Sequence, residues 1–361
     1  MVEGRGYDST MRVIVVGASG NIGTALLERL EQESAVTEIR AVARRLPSEP
    51  SAGGTLTWHE ANIAKDDLDT IVRGADAVVH LAWLFQPTHR PAQTWANNAV
   101  GTARLLEAVE RCQVTSLVVT SSVAAYSPRH DEEPVDETWP THGASTAAYA
   151  REKAYVERLL DAFEARVTHC TVTRLRPAFV FQRRAATQQR RLFMGPLVPG
   201  SIVRPGLVPV LPTPKGLLLQ TVHSRDVATA LASAILARTP GAFNICADEI
   251  VTPTQLADLF KARQATVPAR LARAALKAAW SAHAVPANPE LLDALLSVPM
   301  MSNVKAKAEW GWAPTVSAQD ALGEFFEGLR AGEGHPTPPL DPKGSGPLRA
   351  QEFGTGVGSR P

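Results

Sequence analysis

The sequence MRVIVVGASGNIGTALLERLE, residues 11–31, decides the fold. Its first part, Val13 to Val16, is a continuous β-branched run, which favours a strand buried on both faces of a parallel sheet. From Asn21 onward, apolar residues recur every three or four positions, as on one face of a helix. The glycines between the two patterns lack Cβ atoms, so the backbone there can approach a phosphate closely. The stretch therefore predicts a strand, a glycine-rich turn and a helix.

This turn and the helix start supply the first candidate binding residues. Free N–H groups and a partial positive charge at a helix N-terminus favour an anionic pyrophosphate. The spacing Gly-x-x-Gly-x-x-Gly differs from the common Gly-x-Gly-x-x-Gly, and an ordinary strand-to-helix turn is the alternative. The position between a buried strand and an amphipathic helix favours the dinucleotide interpretation. The predicted cofactor contacts here are Gly17, Ser19, Gly20, Asn21, Ile22 and Gly23.

Length and composition limit the remaining classes. A chain of 361 residues suits one large α/β domain with a smaller companion. A net charge of +1 gives no global attraction to nucleic acid or a membrane surface. The three cysteines are far apart, no metal-ligand spacing is present, and no apolar run is long enough to span a bilayer. We expect a cytoplasmic protein with a small-molecule substrate and no metal, nucleic-acid or membrane partner, and we leave a homodimer open.

The second predicted strand, Glu38 to Ala43, ends at two arginines, Arg44 and Arg45. In a doubly wound sheet the end of this strand meets the adenosine ribose, where an acidic residue suits NAD and an arginine suits the 2′-phosphate of NADP. The planar guanidinium favours phosphate recognition. A solvated surface pair is the alternative. The pattern favours NADP over NAD, with Arg44 as a contact.

Further periodic segments extend the same architecture. Three more strands are predicted, at Thr55–Trp58, Asp76–Leu81 and Ser116–Ser121. One long helix is predicted over Pro91–Cys112. His80, inside one of these strands, is interpreted as a buried core histidine. In such sheets ligands collect at the carboxyl ends of the strands, where Ser122 falls.

A second chemical signal lies on a later helix, where Tyr149 and Lys153 are four residues apart and share a face. A phenol has a pKa near 10, and a neighbouring cation stabilises its anion. We expect Lys153 and an oxidised nicotinamide together to bring the phenol toward neutrality, so that Tyr149 acts as a general acid or base at a substrate oxygen. Ser122 is placed to hold that oxygen. Each residue alone has an ordinary structural explanation, but the ordered combination does not.

Together these motifs resemble the extended short-chain dehydrogenase/reductase family, the NAD-dependent epimerase/dehydratase group. The resemblance runs from Met11 to about Leu329. Its motifs are Gly17–Gly23, His80–Ala82, Asn98–Thr102, Thr120–Tyr126, Tyr149–Lys153, Arg176–Pro177, Val222–Ala228 and Trp310–Pro314. It implies a Rossmann-type doubly wound parallel sheet with a smaller, mostly helical C-terminal substrate domain.

The resemblance also assigns roles to individual residues. It places the catalytic serine on Ser122 and the catalytic pair on Tyr149 and Lys153, and it has Lys153 bind the nicotinamide ribose. Asn62 stands where the family usually has an aspartate near the adenine. The further cofactor contacts that it implies are Asn62, Ile63, Leu81, Ala82, Asn98 and Tyr149.

The predicted domain organisation follows from these segments. Residues 1–10 form a disordered leader, and residues 11–180 form the dinucleotide-binding domain, to which residues 216–247 return. Residues 181–215 and 248–330 form the substrate domain, including an amphipathic helix over 265–287. Arginines of the segment 181–219 suit either an anionic substrate or solvent. Residues 331–361 are rich in Pro and Gly and predict a disordered tail.

Three functions remain open at this point. The first is an NAD(P)-dependent oxidoreductase that transfers hydride between the cofactor and a carbonyl or secondary alcohol, with Tyr149 as acid and base. The second is a sugar-nucleotide epimerase or dehydratase with tightly bound NAD. In the family that the sequence resembles, members that act on nucleotide sugars usually carry an Arg-Asp-x-x-His segment before the later aspartate. Residues Leu219–His223 lack the Arg-Asp, which counts against a sugar nucleotide. The third is a non-catalytic dinucleotide-sensing protein on the same fold.

Overall fold

The computed structural model describes residues 10–49, 54–86, 88–195, 197, 200 and 204–344. The strands are β1 (Met11–Val16), β2 (Val36–Ala43), β3 (Leu56–Glu60), β4 (Ala77–His80), β5 (Ser116–Thr120), β6 (Thr171–Pro177), β7 (Phe179–Phe181), β8 (Val210–Pro214), β9 (Leu219–His223), β10 (Gly241–Ile245), β11 (Ile250–Val251) and β12 (Arg263–Val267). Apart from residue 10, the predicted leader lies outside the described residues.

The helices flank and extend this set of strands. They are α1 (Asn21–Leu30), α2 (Asp69–Val72), α3 (Pro91–Trp95), α4 (Gly101–Arg111), α5 (Ala148–Arg166), α6 (Ala186–Gln189), α7 (Ser224–Ala237), α8 (Pro253–Leu259), α9 (Ala269–Ser281), α10 (Pro289–Ser297), α11 (Val304–Trp310) and α12 (Ala318–Ala331). The π-helical segment Ala96–Val100 joins α3 to α4, so the long helix predicted over residues 91–112 is confirmed with one local change of winding.

A seven-stranded parallel sheet in the order β10-β6-β5-β4-β1-β2-β3 forms the centre of the fold. Alternate residues of β1 enter different cores: Val13 and Val15 pack with α1 and α7 on one face, and Ile14 and Val16 pack with α4 and α5 on the other. This confirms the strand buried on both faces. The strand order reverses between β1 and β4, and such switch points are where doubly wound sheets bind ligands.

Smaller elements complete the chain beyond this sheet. Strand β9 pairs with β7 and β11 in a three-stranded sheet, and β8 pairs with β12 in a separate ribbon. The predicted helix over residues 265–287 is wrong at both ends, because α9 covers only Ala269–Ser281. Residues 265–267 belong to β12, and Pro268 marks the boundary because the residue before a proline is pushed toward the extended region. Among the described residues, no helix has the length and apolar character required to cross a bilayer.

The chain after α12 also differs from expectation. Leu340 is fully buried, and Thr337 is 2% exposed. Arg191 donates hydrogen bonds to the carbonyl oxygens of Pro339 and Asp341, at 2.6 and 3.0 Å. The prediction of a disordered tail is therefore wrong for residues 332–344, because specific contacts hold a segment whose composition alone favours disorder. The remainder of the predicted tail lies outside the described residues.

Candidate active site

A cavity of about 640 Å³ opens at the switch point, at the carboxyl ends of the central strands. Gly17 follows β1 there, and Leu81 and Ala82 follow β4. A Cβ on Gly17 would lie 2.6 Å from the Ala82 backbone nitrogen, and the φ of Gly17 is +93°. Only glycine allows the two strand ends to come this close.

The three glycines of the turn have different roles. A Cβ on Gly23 would lie 2.5 Å from the carbonyl oxygens of Gly17 and Ala18, so Gly23 is required for packing helix α1 on the turn. Gly20 differs, because its Cβ would meet only the Gly17 oxygen at an ordinary 3.5 Å, and its φ of −85° suits any residue. Gly20 lines the cavity at the start of α1, which has no side-chain cap. The protein itself does not require glycine there, whereas a phosphate on this helix N-terminus would. The turn thus fits a dinucleotide.

Asn21 connects this turn to the smaller sheet. Its side chain donates to the carbonyl oxygen of Val180 at 3.1 Å and accepts hydrogen bonds from Gln182 at 2.8 Å and Ser224 at 2.7 Å. These contacts tie α1 to β7 and to the start of α7. The amide of Asn21 therefore stabilises the contact between these elements, and Asn21 also lines the cavity.

The segment of residues 332–344, which we call the C-terminal strap, lies against the same turn. The Thr337 hydroxyl donates to the carbonyl oxygen of Ser19 at 2.8 Å. Pro339 of the strap lines the cavity. The strap therefore forms part of the wall beside the glycine turn.

The end of β2 presents Arg44 and Arg45 to the cavity, as the sequence predicts. Both side chains are exposed, and neither forms a hydrogen bond or ion pair with the part of the chain that the structure describes. Two uncompensated guanidinium groups are therefore available to an anion at this edge.

Ser122, Tyr149 and Lys153 line the same cavity. Ser122 follows β5, and its Oγ accepts a hydrogen bond from the backbone nitrogen of Ala124 at 3.1 Å, so the serine is held in place. Helix α5 carries the other two. The Nζ atom of Lys153 donates to the Thr120 carbonyl oxygen at 3.0 Å and lies 3.6 Å from the centre of the Trp83 ring. The structure thus brings the predicted trio together.

Burial is the largest influence on the pKa values of Tyr149 and Lys153 at this wall. Burial raises the pKa of Tyr149 to about 12, with the Ser122 side chain opposing and Glu152 reinforcing the shift. Burial lowers the pKa of Lys153 to about 7, against the charges of Glu157 and Glu152. The protein's own groups therefore keep the phenol protonated. Any lowering of the Tyr149 pKa toward neutrality would need a further cation beside it.

A buried ion-pair network lies beneath the trio. The Glu157 carboxylate, fully buried on α5, pairs with Arg174 and Arg176 of β6 at 3.0 and 2.9 Å. It also accepts a hydrogen bond from Ser121 at 2.7 Å, next to Ser122. Burial alone raises the pKa of Glu157, but hydrogen bonds and charge from Arg176, Ser121 and Arg174 prevail and lower it to about 2. The network fixes α5 to the strand ends that carry the site.

Most of the predicted site residues line this one cavity. They are Gly17, Ser19, Gly20, Asn21, Ile22, Gly23, Arg44, Ile63, Leu81, Ala82, Ser122, Tyr149 and Lys153. Asn62 and Asn98 are not among the described residues of the wall. The Asn62 amide oxygen accepts from the Ala64 nitrogen at 3.0 Å, and Asn98 hydrogen-bonds Leu84 and Glu152. These two residues position the backbone and do not contact the cavity.

The predicted core histidine is confirmed. The Nε2 atom of His80 lies 2.8 Å from the Thr102 hydroxyl, and burial lowers the pKa of His80 to about 3. The side chain is therefore neutral at physiological pH and is part of the packing.

Among the described arginines of the segment 181–219, four have partners away from the cavity, and Arg204 is exposed. Arg183 pairs with Glu327 and Glu333, and Arg184 pairs with Glu28. Arg190 donates to the Gly195 carbonyl oxygen at 2.8 Å. None of them lines the cavity, so their positions do not favour an anionic substrate over the alternative, a solvated loop.

Sequence reasoning missed several residues of the site. Phe85 stacks on Tyr149, with ring centres 4.7 Å apart and planes at 17°, and Trp83 meets the same ring edge-on at 5.8 Å. The aromatic content of the segment after β4 was the available signal. The C-terminal strap gave no such signal.

Comparison with known proteins is consistent with this geometry. The model of the NAD dependent epimerase/dehydratase family matches residues 13–246, from β1 through β10. The chain therefore belongs to this family, as its motifs indicate. The match confirms the family resemblance that the sequence motifs indicate.

Individual relatives are distant. An uncharacterized protein of Mycobacterium tuberculosis is 26% identical over 339 residues, covering 91% of this chain and 86% of that protein. The Saccharomyces cerevisiae sterol-4-alpha-carboxylate 3-dehydrogenase, decarboxylating, is 29% identical over 181 residues, 47% of this chain and 51% of that enzyme. Among solved structures, the Stenotrophomonas maltophila UDP-glucose-4-epimerase with bound NAD and formylated UDP-arabinopyranose has a TM-score of 0.68 at 20% identity, covering 89% and 98% of the two chains. The last similarity shows the fold alone.

Proposed function

We propose that the protein catalyses hydride transfer between a nicotinamide dinucleotide and a carbon that carries a hydroxyl or carbonyl oxygen. One observation carries the proposal: Ser122, Tyr149 and Lys153 face the same cavity as the glycine turn at the switch point. A bound dinucleotide supplies or accepts the hydride. The intact trio argues against a purely sensory protein.

The chain's own residues perform the remaining tasks. The Tyr149 hydroxyl gives a proton to the substrate oxygen during reduction and takes one during oxidation. Ser122 holds that oxygen by a hydrogen bond. Lys153, anchored to the Thr120 carbonyl oxygen at 3.0 Å, is available to a ribose hydroxyl. The protonated phenol that burial favours is the form that reduction requires.

Sugar-nucleotide epimerisation is the second candidate. The epimerase neighbour with bound NAD and formylated UDP-arabinopyranose supports this candidate more than a net oxidoreductase. The trio serves both reactions, since an epimerase returns the hydride to its substrate. The two differ in outcome, because only an oxidoreductase changes the net amount of reduced cofactor.

Dinucleotide binding tests the proposal most directly. We expect wild-type protein to bind NAD⁺ or NADP⁺ in equilibrium dialysis. Gly20→Val should keep the fold, because the structure leaves room for a Cβ there, but should raise Kd more than about tenfold, or 1.4 kcal/mol, by displacing a phosphate. Gly323→Val, at an open position of α12, is the matched control and should bind as wild type. Absence of dinucleotide binding by the wild-type protein would refute the proposed function.

Cofactor choice gives a second expected result. We propose that Arg44 binds the 2′-phosphate of NADP, although the named neighbour contains NAD. Arg44→Ala should then weaken NADPH binding by about 10- to 100-fold, because a hydrogen bond to a charged group contributes about 1.5–3 kcal/mol. NADH binding should change by less than about twofold. Arg73→Ala, at the opposite end of the sheet, removes the same charge and is the control. Equal effects on NADPH and NADH would contradict the NADP preference.

A further inference from the structure

One face of helix α10 forms a wall of the cavity. Leu291 and Leu295 lie on this face at helical spacing, Leu292 lies beside them, and Val298 directly follows the helix. Asn288 caps the helix by accepting a hydrogen bond from the Leu291 backbone nitrogen at 3.1 Å. Helix α10 packs on α5, which carries the catalytic pair. The apolar face is therefore held next to Tyr149.

Aromatic and aliphatic side chains continue this wall from other elements. Phe85 stacks on the Tyr149 ring, and Phe193 meets Phe85 edge-on with ring centres 5.6 Å apart. Leu192 precedes Phe193 in the π-helical segment Arg190–Met194, and Leu276 comes from α9. We call the part of the cavity bounded by α10, Phe85, Phe193 and Leu276 the apolar chamber. It lies beside the hydroxyl that would handle the substrate oxygen.

Charge is distributed unevenly around the cavity. Among the described residues of its wall, the charged ones are Arg44 and Arg45 at the end of β2, and Lys153. The described wall carries no carboxylate. A pyrophosphate in the apolar chamber would therefore be buried without a guanidinium partner, which is strongly unfavourable. The chamber is suited to an uncharged molecule.

We propose that the substrate is an uncharged, largely apolar molecule with an aliphatic or alicyclic skeleton and one ketone or secondary hydroxyl group. This inference rests on the proposed function. In the reductive direction, the carbonyl carbon gains a hydride from the reduced nicotinamide and its oxygen gains the Tyr149 proton, which solvent replaces. The ketone becomes a secondary alcohol, and the dinucleotide is oxidised. The skeleton packs on Leu295 and its neighbours, which hold the carbonyl at Tyr149 and Ser122.

A homologous series of ketones tests the chemical class by binding alone. Isothermal titration with 2-hexanone to 2-decanone, in the presence of saturating NAD⁺ or NADP⁺, should show Kd falling about fourfold per added methylene, which is about 0.8 kcal/mol. UDP-glucose should bind more weakly than 2-decanone. A Kd that does not change along the series, or tighter binding of UDP-glucose, would overturn the inference. Dinucleotide binding, measured separately, decides whether the proposed function itself fails.

A variant pair locates the binding surface. Leu295→Asn places an amide in the apolar chamber and should weaken 2-decanone binding at least about tenfold, with dinucleotide Kd unchanged. Leu271→Asn, at a position of α9 that is 59% exposed, is the matched control and should bind both ligands as wild type. Equal 2-decanone binding by both variants would exclude the α10 face as the site.

Discussion

Tyr149→Phe is expected to lower the rate of hydride transfer by about 10²- to 10⁴-fold, the usual contribution of a general acid or base. The ring stays in place because it stacks on Phe85 and meets Trp83 edge-on, and neither contact uses the hydroxyl. Dinucleotide Kd and the thermal unfolding midpoint should therefore remain close to wild type. Nicotinamide absorbance, followed with the ketone that wild type reduces fastest, measures the effect.

Tyr155→Phe provides the control on the same helix. Tyr155 is 42% exposed and packs against Trp95, away from the cavity wall. Loss of the Tyr155 hydroxyl should leave the rate of hydride transfer unchanged. A Tyr149→Phe variant that keeps more than about a tenth of wild-type activity would show that another group handles the proton.

The raised pKa of Tyr149 should give reduction and oxidation different pH dependences. Since burial raises this pKa to about 12, the phenol is the dominant form at neutral pH. Reduction uses the phenol, whereas oxidation uses the phenolate. As far as Tyr149 controls the rate, reduction should change little between pH 6 and 9, and oxidation should accelerate as pH rises.

Local patterns in the sequence were sufficient for the central part of the fold. The β-branched run of β1, the glycine turn and the four-residue spacing of Tyr149 and Lys153 each reflect contacts within one element. Their placement around one cavity follows from the rule that parallel strands present their carboxyl ends to the same edge. The family assignment and the doubly wound sheet were therefore predictable.

Contacts between distant segments were not predictable in the same way. Composition favoured disorder after α12, but Thr337 binds the carbonyl of Ser19, 318 residues earlier, and local periodicity holds no information on such a pair. The start of the predicted helix over residues 265–287 failed similarly, because pairing of β12 with β8 outweighs the helical preference of alanine. The sequence predicts that Lys153 and an oxidised nicotinamide together tune Tyr149, but it does not show that burial raises the pKa of this phenol, because burial is a tertiary property.

Glu157→Gln should produce the largest loss of stability, about 3–5 kcal/mol, the usual cost of breaking a buried ion pair. Arg176 has a side chain only 6% exposed, and Glu157 is the carboxylate paired with it. Arg174 keeps ion pairs with Asp161 and Glu164 after the substitution. The cost therefore comes mainly from leaving the Arg176 guanidinium buried without a counter-charge. Urea unfolding, monitored by circular dichroism, measures this change.

Glu164→Gln is the matched control, because Glu164 also pairs with Arg174 but is 32% exposed. Solvent screens such a pair, so its loss should cost less than about 1 kcal/mol. A similar loss of unfolding free energy in both variants would show that burial does not make the Glu157 ion pair more stabilising than the exposed one.

The pH dependence of the Glu157 contribution has a definite sign. The pKa of Glu157 is about 2 in the folded protein, below the ordinary 4.5 that an unfolded chain would show. A carboxyl with a lowered folded pKa stabilises the protein above its unfolded pKa, and that stability is lost as pH falls toward the folded value. The stability difference between wild type and Glu157→Gln should thus be constant above about pH 5 and should shrink between about pH 4.5 and 2. A difference independent of pH across that window would mean that the ion pair does not stabilise the folded state through the carboxylate charge.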